Sequence, residues 1–418
     1  MSDITVYRVK GGNSPSRKPS PVSDRRKGGR IDFMYLTIVV ALVIIGLIVL
    51  LSASYAKAID DGNSGYFYFS RQLLSVAIGS AFAIFFIIIP DNLLKLGGIV
   101  VAVVCIFLLI SLYIIPTASN ERRWIYFGSF QFQPSEFAKI ALIIVLASFF
   151  TAEFAPFERK KIGDDNKYYG LLLLWKAYPF LLCVVYFFLI LFETHLSGAG
   201  LIAVISLTMI IAARKVKVKW LVVILAVILV VCVIVLMSNE YMLNRVKVLF
   251  GLSTEGSSAG DEYQITQSYL AIGSGGLTGV GLGKSRQKYL YLPEPQNDFI
   301  FAIACEELGF IGAILIVALF ALFIWRGLTI ALRSRNKFQS LVALGITCNL
   351  GAQIVLNLMV VTGLFPVTGI SLPFFSYGGT AIITQLAEVG MMLRISRFAD
   401  LESLPLRRRK AENETLPQ

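Results

Sequence analysis

Apolar residues run along this chain in blocks long enough to cross a bilayer, and the blocks recur from one end to the other. A hydrocarbon core about 30 Å thick asks for roughly 20 apolar residues in an α-helix. About ten stretches approach that length. They are Phe33–Ser52, Gln72–Pro90, Leu96–Ile115, Glu136–Phe154, Leu171–Phe192, Gly200–Ala213, Trp220–Met237, Phe299–Trp325, Leu341–Gly363 and Thr380–Leu393. The pattern predicts an all-α polytopic membrane protein, because helices satisfy their own backbone in lipid. Its membrane domain runs over 31–398. It is flanked by a disordered basic tail at 1–30 and a second tail at 399–418.

Polar positions between the blocks set the orientation. Basic residues gather at Arg17, Lys18, Arg25, Arg26, Lys27 and Arg30, then at Arg159–Lys161 and Arg214–Lys217. They gather again from Arg326 to Lys337 and at Arg407–Lys410. Alternating spans place all five clusters on one side, which the positive-inside rule makes cytoplasmic. Both termini are then cytoplasmic, and one long external loop, 238–297, lies between helices 7 and 8. The first apolar run is too long for a cleavable signal and follows a polar arm, so it reads as a first span.

Composition agrees: 56% of residues are hydrophobic and the mean hydropathy is +0.73. The net charge of +12 follows from this topology plus attraction to anionic membrane lipids, so no nucleic-acid partner is needed. Cys105, Cys183, Cys232, Cys305 and Cys348 all fall in predicted spans without CxxC spacing. They read as small buried hydrophobes. The single histidine, His195, excludes a histidine metal cluster and reads as interfacial.

Candidate chemistry collects on the external side. Carboxylates within a span are costly and ask for a functional reason, and YLPEPQNDFIFAIACEELGFIG places Asp298 at the mouth of a strongly apolar helix and Glu306 and Glu307 inside it. At ~100° per residue, Ala302, Cys305 and Gly309 share the azimuth of Asp298. Glu306 lies about 80° away and Glu307 about 180° away. Asp298, at the water boundary, should be ionised, Glu306 protonated or paired, and Glu307 paired structurally with a neighbouring helix.

The loop PTASNERRWIYFGSFQFQPS carries Arg122 and Arg123, which favour anion binding, beside Trp124 as an interfacial anchor. Pro134 suits the start of the fourth helix and places Glu136 and Lys139 on one face. Gly273, Gly275, Gly276, Gly279, Gly281 and Gly283 lack Walker spacing. A loose phosphate cradle and a mobile re-entrant loop carry equal weight there. In Leu364–Gly379, Pro366, Pro373 and Gly378–Gly379 predict a short structured loop. Gln353 and Asn357 share a helix face and read as interhelical hydrogen-bonding residues.

Four of these segments, ERRWIYFGSFQFQPSEFAK, QSYLAIGSGGLTGVGLG, LPEPQNDFIFAIACEELGFIG and FPVTGISLPFFSYGGTA, resemble the SEDS family of bacterial cell-wall proteins, which includes FtsW, RodA and SpoVE. Within it the basic arm and first span look more like FtsW or its sporulation relative than RodA. Two positions depart from the family pattern. Gln296–Asn297 stand where His-Thr is usual, and Thr194–Gly198 replace a Pro-Asp-Leu-Gly-Thr-like motif, so no acid is assigned between the fifth and sixth spans.

The resemblance implies a peptidoglycan glycosyltransferase that polymerises lipid II into β-1,4-linked strands at the outer face of the bacterial cytoplasmic membrane. It would work with a class B penicillin-binding protein and divisome regulators at the division septum. The donor sugar carries an α-linked pyrophosphate, so the transfer inverts the anomeric carbon. Such a step needs a base for the acceptor hydroxyl, assigned to Asp298 and worth ~10²–10⁴-fold. It also needs cations for the leaving diphosphate: Arg123, Lys139 and Lys284, with Arg122 and Arg245. Glu136, Glu306 and Ser376 complete the expected substrate contacts. A divalent cation, magnesium or manganese, could share that work, although no ligand cluster marks it. A lipid II flippase and a non-catalytic scaffold for a penicillin-binding protein stand as alternatives.

Overall fold

The computed structural model describes residues 29–114, 123–127, 130–152, 166–193, 196–213 and 259–399. The basic arm, Arg122, Arg159–Lys161, His195, the seventh predicted span, Arg245 and the C-terminal tail lie outside the described residues. The chain forms α1 (Phe33–Asp60), α2 (Phe67–Ile88), α3 (Asp91–Ile114), and a hairpin of β1 (Ile125–Phe127) and β2 (Phe130–Phe132). Then follow α4 (Pro134–Thr151), α5 (Asn166–Phe192), α6 (Leu196–Ala213), α7 (Ala259–Ser274), α8 (Ile300–Arg333), α9 (Lys337–Val361) and α10 (Gly379–Ser396). Among the described residues six helices, α1 to α4, α8 and α9, are long and apolar enough to cross a membrane. Shorter apolar stretches occur at Tyr178–Phe192 and Ser197–Ala213. This is a multi-pass helical membrane architecture.

Burial divides the helices by role. α4 is sheathed nearly all round, with Ala141, Leu142 and Ile143 wholly buried. α10 is buried along its whole length although it carries Thr380, Thr384, Gln385 and Glu388. α2 and α8 instead keep broad apolar faces open, as lipid-facing helices do. Small residues let the helices approach closely. A methyl group at Gly390 of α10 would lie 2.3 Å from Ala83 O of α2, and one at Gly79 would lie 3.1 Å from Ile383 Cα.

One end of the bundle is closed by polar clamps. The Gly29 N–H donates to Arg397 O at 2.8 Å, and the Asp32 N–H donates to Ser396 Oγ at 3.0 Å. Asp32 also caps α1 through the Tyr35 N–H and pairs with Arg326 at 2.7 Å. Arg394 and Gln339 meet the Asp91 carboxylate at 2.9 Å each. The two ends of the described chain therefore share one face of the bundle, the face where Arg326 to Lys337 cluster.

Three departures from the sequence reading matter. The eighth span is not one continuous helix: Gly309 has φ 68° and ψ −171°. The break leaves backbone groups that must find new partners in a water-poor setting, and the glycine-rich loop supplies them. Val280 and Gly281 N–H donate to Glu306 and Glu307 O, while Phe310 and Ile311 N–H donate to Gly276 and Leu277 O, at 2.9–3.2 Å. The segment 310–333 alone gives about 36 Å of helix at 1.5 Å per residue. Glu306 and Glu307 thus sit on the N-terminal side of the break, beyond a segment long enough for a full crossing.

Second, α8 begins at Ile300, so Asp298 precedes it and the azimuth argument does not reach that residue. Third, the described part of the long segment expected as an external loop is ordered: it opens with α7, then wraps the α8 break. The loop between α3 and α4 likewise contains a hairpin, with Ile125 opposite Phe132, docked on α10 by Thr380 Oγ1 donating to Gln131 O at 2.7 Å.

Candidate active site

At the end of the bundle opposite the clamps lies a cavity of about 670 Å³. Its wall is drawn mainly from four places, completed by Gln264 of α7 and by Gly379 and Ala381 of α10. α2 gives Tyr68, Arg71, Leu74 and Ile78, and the hairpin gives Arg123, Trp124 and Gln131. The turn before α8 gives Glu294, Gln296, Asn297 and Asp298, and the segment before α10 gives Val367, Gly369, Ser371 and Tyr377.

The turn that carries Asp298 is tied on every side. Glu294 sits at φ 49°, and its Oε2 accepts from Gln296 Nε2 at 2.8 Å and Asn297 Nδ2 at 3.0 Å. Three successive carbonyls are then held from outside. Gln296 O accepts from the Tyr377 N–H at 2.8 Å, Asn297 O from Ser376 Oγ at 2.7 Å, and Asp298 O from Asn357 Nδ2 at 2.7 Å. With its backbone fixed, Asp298 stands half-buried in the cavity wall.

Arg123 meets it there. A methyl group at Gly369 would lie 3.2 Å from Arg123 Nη1 and 3.6 Å from Asp298 Oδ2. The guanidinium and the carboxylate therefore converge on one point of the wall. Gly369 has φ +74°, a conformation costly for other residues. Arg123 is only 9% exposed, and its charge acts favourably on the buried carboxyl of Glu193 at the end of α5. Arg71 adds a second cationic group, its guanidinium 4.1 Å from the Phe67 ring centroid.

The rim is acidic. Burial pushes the Glu294 carboxyl above its ordinary range, and the nearby Asp61 charge adds to this, against Lys57 and the Gln296 amide. Asp61 is held below its usual value, first by the Tyr68 hydroxyl and then by Lys57, which pairs with it at 3.0 Å.

The other expected site residues lie elsewhere. Lys139 and Glu136 do share a face and pair at 2.8 Å, but they turn into the bundle and not to the cavity wall, because a buried charge needs a partner. The Lys139 charge also acts on Glu388, whose Oε1 accepts from Asn349 Nδ2 at 2.8 Å. Glu306 accepts from Ser285 Oγ and from the Arg286 N–H at 2.8 Å. Glu307 takes Lys288 Nζ at 3.0 Å and Ser52 Oγ at 2.6 Å; the expected neighbouring helix supplies only the Ser52 hydroxyl of α1, while the cation comes from the loop before α8. Lys284 is exposed and outside the cavity wall, and Ser376 is a buried tether of the Asp298 turn. Arg71, Tyr68, Glu294 and Gly369 were not singled out from the sequence. Of these only Glu294, an acid beside two prolines, carries a local signal.

Leu74 and Ile78 are followed along α2, away from the cavity, by the exposed Phe82 and Phe85. At these spacings the four share one face, so an apolar stripe leads from the cavity down the helix. A carboxylate, a guanidinium and an apolar approach suit a substrate with a lipid tail, an anionic head and a proton to remove.

A family model described as cell cycle protein, spanning FtsW, RodA and SpoVE, matches residues 32–401. The chain is 38% identical over 375 residues to stage V sporulation protein E of Bacillus subtilis, covering 88% of this chain and 97% of that protein. It is 34% identical over 371 residues to a probable peptidoglycan glycosyltransferase FtsW of Geobacter sulfurreducens, covering 88% and 95%. Among solved structures, the rod shape determining protein RodA of Thermus thermophilus matches with a TM-score of 0.60 at 26% identity, over 88% of this chain and 98% of that one. A chain from a peptidoglycan synthase complex that coordinates polymerization and crosslinking matches with a TM-score of 0.68 at 25% identity, over the same shares.

Proposed function

The chain belongs to the FtsW, RodA and SpoVE family of cell cycle proteins, and from that premise we propose that it is a peptidoglycan glycosyltransferase polymerising lipid II. One observation carries the reading: Asp298 and Arg123 converge at Gly369 in a cavity at the head of an apolar stripe on α2. The undecaprenyl tail lies along Leu74, Ile78, Phe82 and Phe85, and the diphosphate meets Arg123 with Arg71 behind it. Asp298 takes the proton from the acceptor 4-hydroxyl as that oxygen attacks the donor anomeric carbon, and the C1–O bond to the diphosphate breaks with inversion. The preorganised cations stabilise charge as it builds on the leaving diphosphate.

The same reading extends to features that rest on the apolar and basic pattern of the chain and on family likeness. The chain crosses the cytoplasmic membrane about ten times, with both termini inside. It works beside a class B penicillin-binding protein and divisome regulators, at the division septum. Among the described residues no three histidines, cysteines or acids group as a metal site. Glu294 and Asp298 still fit the sparse protein coordination that magnesium or manganese takes when phosphates supply the remaining oxygens. A cation so held would supply positive charge for the diphosphate.

Purified protein mixed with labelled lipid II, with and without the partner synthase, tests the proposal. Polymer that disappears in Asp298→Ala and Asp298→Asn supports it, with a loss of about 10²–10⁴-fold. Near-normal polymer from either variant removes the base assignment. Lipid movement across liposomes without polymer would identify a flippase, and neither activity a scaffold.

A further inference from the structure

Asn357 is wholly buried in α9. A primary amide in a membrane-spanning helix asks for a reason beyond packing. Its Nδ2 makes two donations, to Asp298 O at 2.7 Å and to Ile370 O at 2.8 Å. Both amide hydrogens are thereby used on backbone carbonyls, and the two carbonyls belong to different loops. One loop presents Asp298. The other presents Gly369, the residue against which the Asp298 carboxylate and the Arg123 guanidinium both lie.

The tethers from Ser376 and Tyr377 join these loops to each other. Asn357 differs in fixing both to a helix, at the residue that bears the carboxylate. The orientation of that helix is itself pinned. Gln353 Nε2 donates to Asn349 Oδ1 at 2.8 Å, and Asn349 Nδ2 donates to Glu388 Oε1 on α10 at 2.8 Å. Positions 349, 353 and 357 recur every four residues, so they form one stripe on α9. Rotation of α9 would break the whole stripe at once.

We infer that Asn357 is a positioning residue for glycosyl transfer: by holding the Asp298 and Ile370 carbonyls on one amide, it sets where the Asp298 carboxylate stands relative to Arg123. The inference rests on the reading of Asp298 as the base. Without the bridge, the peptide after Asp298 loses its partner and can turn, which swings the side chain. Reacting groups misplaced by about 1 Å lose on the order of 10² in rate.

The test uses the full chain with labelled lipid II, and reads kcat, KM and the thermal midpoint. Asn357→Leu keeps the shape and removes the donors, and Asn357→Asp keeps the polarity and removes the donors. Each is measured alone and combined with Asp298→Ala. The expected result is a fall in kcat of about 10²-fold with KM unchanged, and no further fall once Asp298 is already absent. Where one variant fails to fold, the other is read.

A wild-type kcat overturns the inference. So does an equal loss with and without Asp298, or the failure of both variants to fold, since each marks a purely structural role. If Asp298→Ala alone polymerises at the wild-type rate, the base reading has failed in its own arm, and the positioning role falls with it.

Discussion

Replacing Gly309 by alanine puts the broken helix to a severe test. The φ of 68° with ψ of −171° lies in a region essentially restricted to glycine, and a side chain there costs about 1–3 kcal/mol. Space is the larger obstacle. The new methyl group would stand 2.2 Å from Gly279 N, 2.6 Å from Thr278 C and 2.7 Å from Leu277 O, all backbone atoms. The glycine-rich loop must then withdraw. The donations of Val280, Gly281, Phe310 and Ile311 N–H go with it, each worth about 0.5–1.5 kcal/mol net. Strain and lost bonds together amount to about 3–9 kcal/mol.

The assay is amide hydrogen exchange over 276–281 and 310–311, together with the thermal midpoint in detergent. Gly273→Ala is the control, since nothing lies within 4 Å of its added methyl and a helical alanine is favoured by up to about 1 kcal/mol. Gly309→Ala should accelerate exchange across both segments and lower the midpoint. Unchanged exchange, with a midpoint equal to the control, would refute the claim that the loop replaces the missing helix bonds.

Other expectations are as direct. Arg123→Ala should cut turnover by about 10²–10³-fold, as loss of a preorganised donor does, and Arg123→Lys should restore part of it; an unaltered rate for Arg123→Ala removes Arg123 from the site. Lys288→Met leaves the Glu307 carboxylate buried without its cation and should cost about 3–5 kcal/mol. Adding Glu307→Leu should recover most of that loss in thermal melts, and equal melts for the single variant and wild type would count against the pair.

Glu294 binds its proton more tightly folded than unfolded, because burial raises its pKa. Its contribution is therefore fully present below the ordinary carboxylate range and is lost as pH rises through the folded value. Glu294→Gln should match wild type in acid and exceed it in stability at neutral pH. Parallel pH–stability curves would reject the burial argument.

The long apolar runs located α1 to α4, α9 and α10 because span length is set by bilayer thickness, a constraint written directly in composition. The α8 break escaped because hydropathy is blind to backbone dihedrals, and Phe299–Trp325 stays apolar enough on both sides of Glu306 and Glu307 to read as one span. α7 escaped because it is short and mixed, embedded among glycines and polar residues. Asp298 and Arg123 were legible as charges that lipid alone would exclude. Spacing also paired Lys139 with Glu136, but a three-residue interval does not say whether the pair faces a cavity or the core. Asn357 was read as an interhelical partner, whereas it bonds the carbonyl of a residue 59 positions earlier and another 13 positions later. Such an address is set only when the whole bundle closes.

That closure also has a schedule. Asp32 waits for Ser396, 364 residues later, and the Gln72 amide waits for Ser376 and Gly378, about 300 residues later. At ~5–20 residues per second, the first helix leaves the ribosome on the order of 20–70 s before its final partner exists. Only in the last part of that interval, after Asp298 is made and before α10 (Gly379–Ser396) follows, is every charged group of the cavity present while the helix that joins its walls is missing. A chain cut short by even its last described helix would be inert by construction, so the cell meets this catalyst only as a finished molecule.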